Sequence, residues 1–415
     1  MRPVHAAALA WATLAATATA MAAPPLVGSR CVGAALVDPA FRDAAVSTLD
    51  DLAVHAPGLP ADGAVRAHRD AGYRDAQGRA WHQVSAYQVN LGMIGALHAD
   101  ARMLPVAAGW LRWQARHIAA SGPARGVALD HWVRADTQEQ VLCPAGMAPQ
   151  RCADVDAHDS TAASTLLFAD AYLRRARSAA LLREPEVRRA LEDAAAALLG
   201  LSDARGLTVA KPGHAVVYTM DMAEVVAGWR AWARLQRDAY AQPASAEQTL
   251  VLATRAENAM RRELATESGW SVNLGSGPPQ RFRWYPDTVA QAWPLLWLPL
   301  AGGDREHADQ LWRRAIAPWQ RARALHWATT NVDPEGFWWP AVAVAAQCTG
   351  DESNARAWVA RARKQWMDPA APFAWPFQVG DLLWLLWLAD PVDPPLAQAT
   401  LSSQPRNPLD SREKP

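Results

Sequence analysis

Along most of the chain, apolar residues recur at intervals of three and four positions, with Gly, Pro and Asp between the runs. That period belongs to amphipathic helices, and strand-like alternation is almost absent. The pattern predicts helices over approximately 82–98, 101–120, 158–177, 184–200, 219–238, 245–265, 286–300, 304–321, 339–349, 352–366 and 376–389, with one more over 39–56. The fold class expected from this is all-α.

Alternate helices differ in character. Every second one is more apolar and opens on aromatic and polar residues: Ala86-Tyr87-Gln88-Val89-Asn90, Asp156-Ala157-His158-Asp159-Ser160, Tyr218-Thr219-Met220-Asp221, Trp284-Tyr285-Pro286-Asp287, Trp338-Trp339-Pro340 and Trp375-Pro376-Phe377-Gln378. The helices between them, such as 184–197 and 304–321, carry a charged outer face. A polar start feeding an apolar helix, followed by an amphipathic return, repeats about six times along the chain. It predicts an (α/α)6 toroid, six inner helices ringed by six outer ones, with every inner N-terminus opening on one face.

Composition narrows the picture. The 415 residues are 51% apolar and 20% charged, which supplies a large core and excludes global disorder. Lys plus Arg (41) equals Asp plus Glu (41), so there is no polybasic surface for nucleic acid. The 21 Trp stand against 6 Tyr and 6 Phe, an excess of flat rings suited to helix packing or to stacking on a ligand. Residues 1–23 read as a signal peptide: Arg2 and His5, a weakly apolar run from Ala6 to Ala16, then Ala20-Met21-Ala22. Residues 24–390 form the expected toroid domain, and the proline-rich 391–415 an extended or disordered tail. Later apolar runs are too short to span a bilayer, so the expectation is an exported protein, periplasmic or secreted, with no membrane span when mature. Cys143 and Cys152 bracket an eight-residue loop that a disulfide could close, and Cys31 and Cys348 would then form a second bridge. Neither CxxC nor HExxH spacing occurs, so no metal or cofactor is expected.

Glycoside hydrolysis needs two carboxyl groups flanking the bond, and inner-helix N-termini that converge on one cleft are suitable places for them. Four starts supply acids: Asp154, Asp156 and Asp159; Asp221 and Glu224; Asp287; and, half a turn deeper, Asp381. Asp221 and Glu224 share a helix face among apolar neighbours, where desolvation raises a carboxyl pKa. Asp156 and Asp159 have the same spacing but also fit helix capping, with Asp159 the better candidate to meet a sugar hydroxyl, and Asp287 follows Pro286 at another favourable cap position. Candidate sugar-binding residues are Tyr87, Tyr218, Trp284, Tyr285, Gln291, Trp338, Trp339 and Trp375, since pyranose C–H faces stack on aromatic rings. Trp132 and Phe337 stand with them, whereas Trp229, Trp297, Trp384 and Trp387, deep in helices, are expected in the core.

With these starts in place, the chain resembles the six-hairpin (α/α)6-toroid glycosidases, and distantly the family 8 glycoside hydrolases. Ala153 to Ala163 is similar to that family's Asp-rich opening of an inner helix, and Leu91-Gly92-Met93-Ile94 to its first inner helix. The resemblance implies the fold and a carbohydrate substrate. Where that family carries its acid Glu, before the Gly-Met, Ser85 to Asn90 has no carboxylate. The leading expectation is an exported glycoside hydrolase acting on a polysaccharide or oligosaccharide, pairing Asp221 with Asp159 or Asp287. One alternative is a polysaccharide lyase on the same scaffold, using Tyr218 or His158 as base and Arg281 or Arg283 to neutralise a uronate. Another is a non-catalytic glycan-binding protein of an exopolysaccharide system.

Overall fold

The computed structural model describes residues 34–152, 154–280, 283–298, 310, 312–316 and 326–391. The segment expected to be a signal peptide, Cys31, Arg281, most of the helix expected over 304–321 and residues 392–415 lie outside the described residues; 312–316 is helical.

Eleven helices can be traced in the described residues: α1 (Pro39–Leu52), α2 (Ala86–Ala99), α3 (Leu104–His117), α4 (His158–Ala176), α5 (Pro185–Leu201), α6 (Thr219–Arg234), α7 (Pro243–Glu263), α8 (Ala292–Trp297), α9 (Pro340–Cys348), α10 (Glu352–Trp366) and α11 (Leu382–Ala389). The chain is all-α, as its periodicity predicts. α2, α4, α6, α8, α9 and α11 each pack on the next, and α11 returns to α2, so the six apolar helices close a ring. α3, α5, α7 and α10 lie outside it, paired with their inner neighbours, and α1 packs against both α11 and α2. Trp229, Trp297, Trp384 and Trp387 are buried in the core, as expected.

Ring closure depends on two small residues of α2. A Cβ on Gly95 would lie 2.6 Å from the Leu382 carbonyl oxygen, and one on Gly92 would collide with the Val379 carbonyl. Only glycine allows the first and last inner helices to approach so closely. At the same seam the Leu36 amide donates to the Leu388 carbonyl (2.7 Å), so the chain ahead of α1 is tied to the end of α11.

One departure from the sequence pattern concerns residues 80–84. They form a strand, not the start of a helix, within an antiparallel sheet of β1 (Tyr73–Arg74), β2 (Ala80–Val84), β3 (His131–Arg134) and β4 (Gln140–Val141). β2 reads as helical because Trp81, His82 and Val84 are all buried, which erases the alternation of a half-exposed strand. A second, two-stranded sheet joins β5 (Ala265–Thr266) and β6 (Gly269–Trp270). Trp132 lies in β3, buried with Trp81 and Met147, and so offers no open ring face to a sugar. After β4, Cys143 and Cys152 are bridged (Cα–Cα 4.9 Å), and Cys348 is disulfide-bonded too.

The loops satisfy the inner-helix starts. The amide of His158 donates to Ala210, that of Thr219 to Val272, and that of Val379 to Ala67, all backbone carbonyls from long connections. No side chain caps α2, α4 or α6. The backbone thus meets part of its own needs there.

Candidate active site

Two inner helices, α4 and α6, supply the acids, and two more, α2 and α8, supply donors to them. From α6, Glu224 is buried, and its Oε1 accepts hydrogen bonds from the Tyr87 hydroxyl of α2 (2.7 Å) and the Trp293 indole of α8 (2.9 Å). From α4, Asp159 is fully buried: Oδ1 accepts from the Ser160 amide (2.8 Å) and Oδ2 from the Thr208 hydroxyl (2.7 Å). Asp221, one turn before Glu224, is half-buried. The Ser160 hydroxyl lies against both α6 acids.

All three carboxyls are held above the ordinary range. Burial pushes Glu224 up to about 7 against the opposing hydrogen bonds from Trp293 and Tyr87. Burial likewise takes Asp159 up to about 7, with the charge of Glu224 adding to it. Asp221 is raised well above the usual carboxylate value, first by burial and then by the negative charges of Asp159, Glu224 and Asp156. Loss of water and mutual repulsion disfavour the charged form. A carboxyl that keeps its proton at neutral pH and still meets the cleft can serve as a general acid. Of the three, Asp221 has that access.

Aromatic rings form the facing wall. Tyr285, 41% exposed, stacks on Trp339 (4.8 Å between centroids, 16°). Trp339 meets Phe337 (6.0 Å), Phe337 meets Trp375 (5.6 Å), and Trp375 is 48% exposed. Trp339 also meets Trp293 (6.0 Å), the indole that bonds Glu224, so the wall and the acids are continuous. Trp339 takes a left-handed backbone (φ +50°), and its indole donates to Asp333 (2.7 Å). Tyr218 shares a hydrogen bond with His214 (3.0 Å) and feels Asp221 and Asp156.

Other expected site residues are engaged elsewhere. Asp287 is buried, accepts from the Gln280 amide (2.7 Å) and sits 3.5 Å from Arg283, so it organises its own loop and caps no helix. Gln291 is buried and committed to Trp270 and the Asp287 carbonyl. Trp284 is buried against Trp327, and Trp338 among Trp358, Trp366 and the Arg361 guanidinium, which makes both core residues. Asp156 does not cap α4 and is exposed, while Asp159 bonds Thr208 and is sealed from any sugar hydroxyl. His158 is buried, which lowers its pKa.

Asp130 was invisible in the sequence. It sits on the connection into β3, where Gln83 of β2 donates to it (2.6 Å), and burial lifts it to about 6, with Asp154 and Asp156 adding to the rise. Only the β2–β3 pairing brings it here, so no local spacing marks it. Lys211 nearby is paired with Asp154 (2.7 Å). No group of three or more potential metal ligands occurs among the described residues.

No protein-family profile matches the sequence, and no curated protein matches it. Solved structures do match. One is a glycosidase at 14% identity and TM-score 0.54, covering 84% of this chain and 95% of that one. Another is a glycosidase variant in complex with glucose, at 14% identity and TM-score 0.52, covering 86% and 93%. A third is a novel alpha-amylase from Clostridium perfringens, at 11% identity and TM-score 0.51, covering 85% and 97%. This is a glycosidase-like fold. The match runs nearly the full length of each neighbour, and at such identity it speaks for the fold alone.

Proposed function

We propose that the protein is an exported glycoside hydrolase acting on a polysaccharide or oligosaccharide, with Asp221 as its proton donor. The observation that carries the reading is the half-buried Asp221 set among other acids that raise its pKa, beside a run of aromatic rings that is exposed at Tyr285 and Trp375. Glycosidic oxygen is a poor leaving group until protonated, and a carboxyl whose pKa is raised by its surroundings supplies that proton at neutral pH. Burial, and then the charges of Asp159, fixed by Thr208, and Glu224, fixed by Tyr87 and Trp293, raise the pKa of Asp221. A carboxyl from α6 thereby reaches the start of α2, where the family 8 pattern expects a Glu. Tyr285, Trp339 and Trp375 stack on sugar rings in this reading. The fold likeness to glycosidases agrees with it.

Among the described cations near the acids, Lys211 is paired with Asp154 and Arg283 with Asp287. A uronate carboxylate brought to this rim finds both of these cations already paired, which favours a neutral glycan and hydrolysis over elimination. The test is a product assay of purified protein against neutral and uronic-acid polysaccharides, reading reducing ends and near-ultraviolet absorbance together. New reducing ends without absorbance, lost in Asp221→Asn, are expected. Absorbance would mark a lyase, and binding without any product would mark a glycan-binding protein. Either result overturns the proposal.

A further inference from the structure

We infer that Trp375 and Asp70 form a remote sugar-binding subsite, and that the preferred substrate is a glycan chain long enough to run from Asp221 to Trp375. The inference rests on the hydrolase reading above and adds to it the length class of the substrate.

The row of rings has two open ends. Tyr285 is 41% exposed and Trp375 48%, while Trp339 and Phe337 between them are half-buried. From Tyr285 through Trp339 and Phe337 to Trp375, successive ring centroids are 4.8, 6.0 and 5.6 Å apart. Among the described residues the two ends make no ring contact with each other, so they lie beyond the roughly 7 Å at which aromatic rings pair. A pyranose stacked on Tyr285 therefore leaves Trp375 free for another.

The two ends stand differently to the acids. Tyr285 feels the charges of Asp156 and Asp221. Trp339, stacked on it, touches Trp293, whose indole donates to Glu224 one turn from Asp221. Trp375 instead meets Phe337 and, edge-on, the ring of His68 (6.0 Å, 78°). The row thus starts beside the acids and ends two rings beyond Trp339.

Trp375 is held in place from several sides. Phe373 and Phe377 flank it in sequence, are both buried and pack on one another (5.0 Å), which pins a bend with Trp375 at its tip. The Phe373 amide donates to the Trp366 carbonyl (2.9 Å) and the Phe377 amide to the Ala374 carbonyl (3.1 Å). The Trp375 amide itself donates to Oδ2 of Asp70 (2.9 Å), which comes from the chain between α1 and β1. A lone exposed apolar side chain needs no special reason. A large ring fixed by its backbone and by two neighbouring rings, with about half its surface open, is preorganised, and it binds a flat partner without the ordering cost of a mobile side chain. Asp70 is exposed too, so a carboxylate stands beside the backbone of the open ring. That is a sugar's complement: a ring for its C–H face and an acceptor for a hydroxyl.

Contacts to sugars remote from the cut bond are used at the reacting centre, so a shortened substrate loses kcat as well as KM. A chain that reaches Trp375 gains these contacts, and one that ends at Tyr285 does not.

The test is a length series: oligosaccharides, from the disaccharide upward, of the neutral polysaccharide that the wild-type protein hydrolyses, with kcat and KM measured for each. We expect the wild-type kcat/KM to rise with length to a plateau. Trp375→Ala should cost about tenfold more on plateau-length chains than on the shortest chain cleaved, whereas Tyr285→Ala should cost about the same at every length. Trp375→Phe, which keeps a ring, should recover most of the loss. Should Trp375→Ala fail a thermal melt, Asp70→Ala decides in its place, with the same dependence on length expected. A loss equal at all lengths, no loss at any length, or a wild type indifferent to length overturns the subsite. If the wild type favours long chains and Trp375→Ala keeps that preference, only this inference falls. If the wild type hydrolyses nothing, the functional reading falls, and this one with it.

Discussion

The packed pair α4 and α6 holds acids at each end of their contact, and the two ends are built in opposite ways. At the C-terminal end, Asp170 of α4 meets Arg234 of α6 through two hydrogen bonds (3.1 and 2.8 Å) and Arg174 at 3.2 Å. Burial alone would raise Asp170, but the charges of Arg234 and Arg174 outweigh it and hold the carboxyl below its ordinary value. About three turns away, at the N-terminal end, Asp159, Asp221 and Glu224 are buried with neutral donors and one another, and all three are raised. An acid needed only for packing is given a cation, because an uncompensated buried charge is costly. Three acids left without one, at the open end of a ring, are a cost that stability does not explain and that proton transfer does.

This contrast can be broken at either end. The largest effect is expected from Asp221→Asn, which should cut turnover about 10³-fold or more and leave the melting temperature within a few degrees. Steady-state kinetics beside a thermal melt decide it, and a large drop in melting temperature would instead place Asp221 with the structural acids. Arg234→Ala should do the reverse. It leaves Asp170 half-compensated and should cost about 3 kcal/mol in denaturant unfolding, with kcat unchanged well below the melting temperature.

Tyr285→Ala removes an exposed ring without touching an acid. KM should rise several-fold, to about tenfold at most, with kcat little altered, as for loss of a stacking contact. An equal fall in kcat would mean that the aromatic wall also orders the acids.

The smallest effect is one of sign. Glu224 is raised from 4.5 to about 7, so the stability it contributes is full below its unfolded value and is lost as pH rises through about 7. Glu224→Gln removes that loss. Its melting temperature relative to wild type should therefore improve between about pH 5 and about pH 8, whereas Asp170→Asn should lose ground to wild type only as pH rises towards about 4 and keep a constant deficit above that. Parallel melting curves for the Glu224 variant and wild type across this interval would show that Glu224 is already ionised.

Much of the ring was legible in the sequence because its signal is local. Each inner helix announces itself by an apolar run behind an aromatic and polar start, and the six starts recur in order. Tyr87, Asp221 and Glu224 could be named for the same reason, since they occupy the first turns of such helices. What was not legible depends on partners distant in sequence. Nothing in the spacing of Asp159 reveals that Thr208 closes over it, and nothing around Asp287 reveals that the Gln280 amide claims it. Asp130 enters only through strand pairing, and β2 itself was hidden because both of its faces are buried. Trp284 and Trp338 carry the same local signature as Tyr285 and Trp339, but the chain turns their rings inward. Sequence located the acids and rings at the inner-helix starts; tertiary contact decided which of them face the cleft.

The central claim is that the acids at the open end are protonated where Asp170 is not. Carbon-13 NMR titration of the Asp and Glu carboxyls tests it without any substrate, with signals assigned by their disappearance in Asp221→Asn and Asp170→Asn. The account predicts that the Asp221 signal titrates well above the ordinary carboxylate range of about 4, while that of Asp170 titrates below it. An Asp221 signal already in the ionised position at about pH 5 would contradict it, because the cluster would then be a set of ordinary carboxylates and the proposed proton donor would have no proton to give.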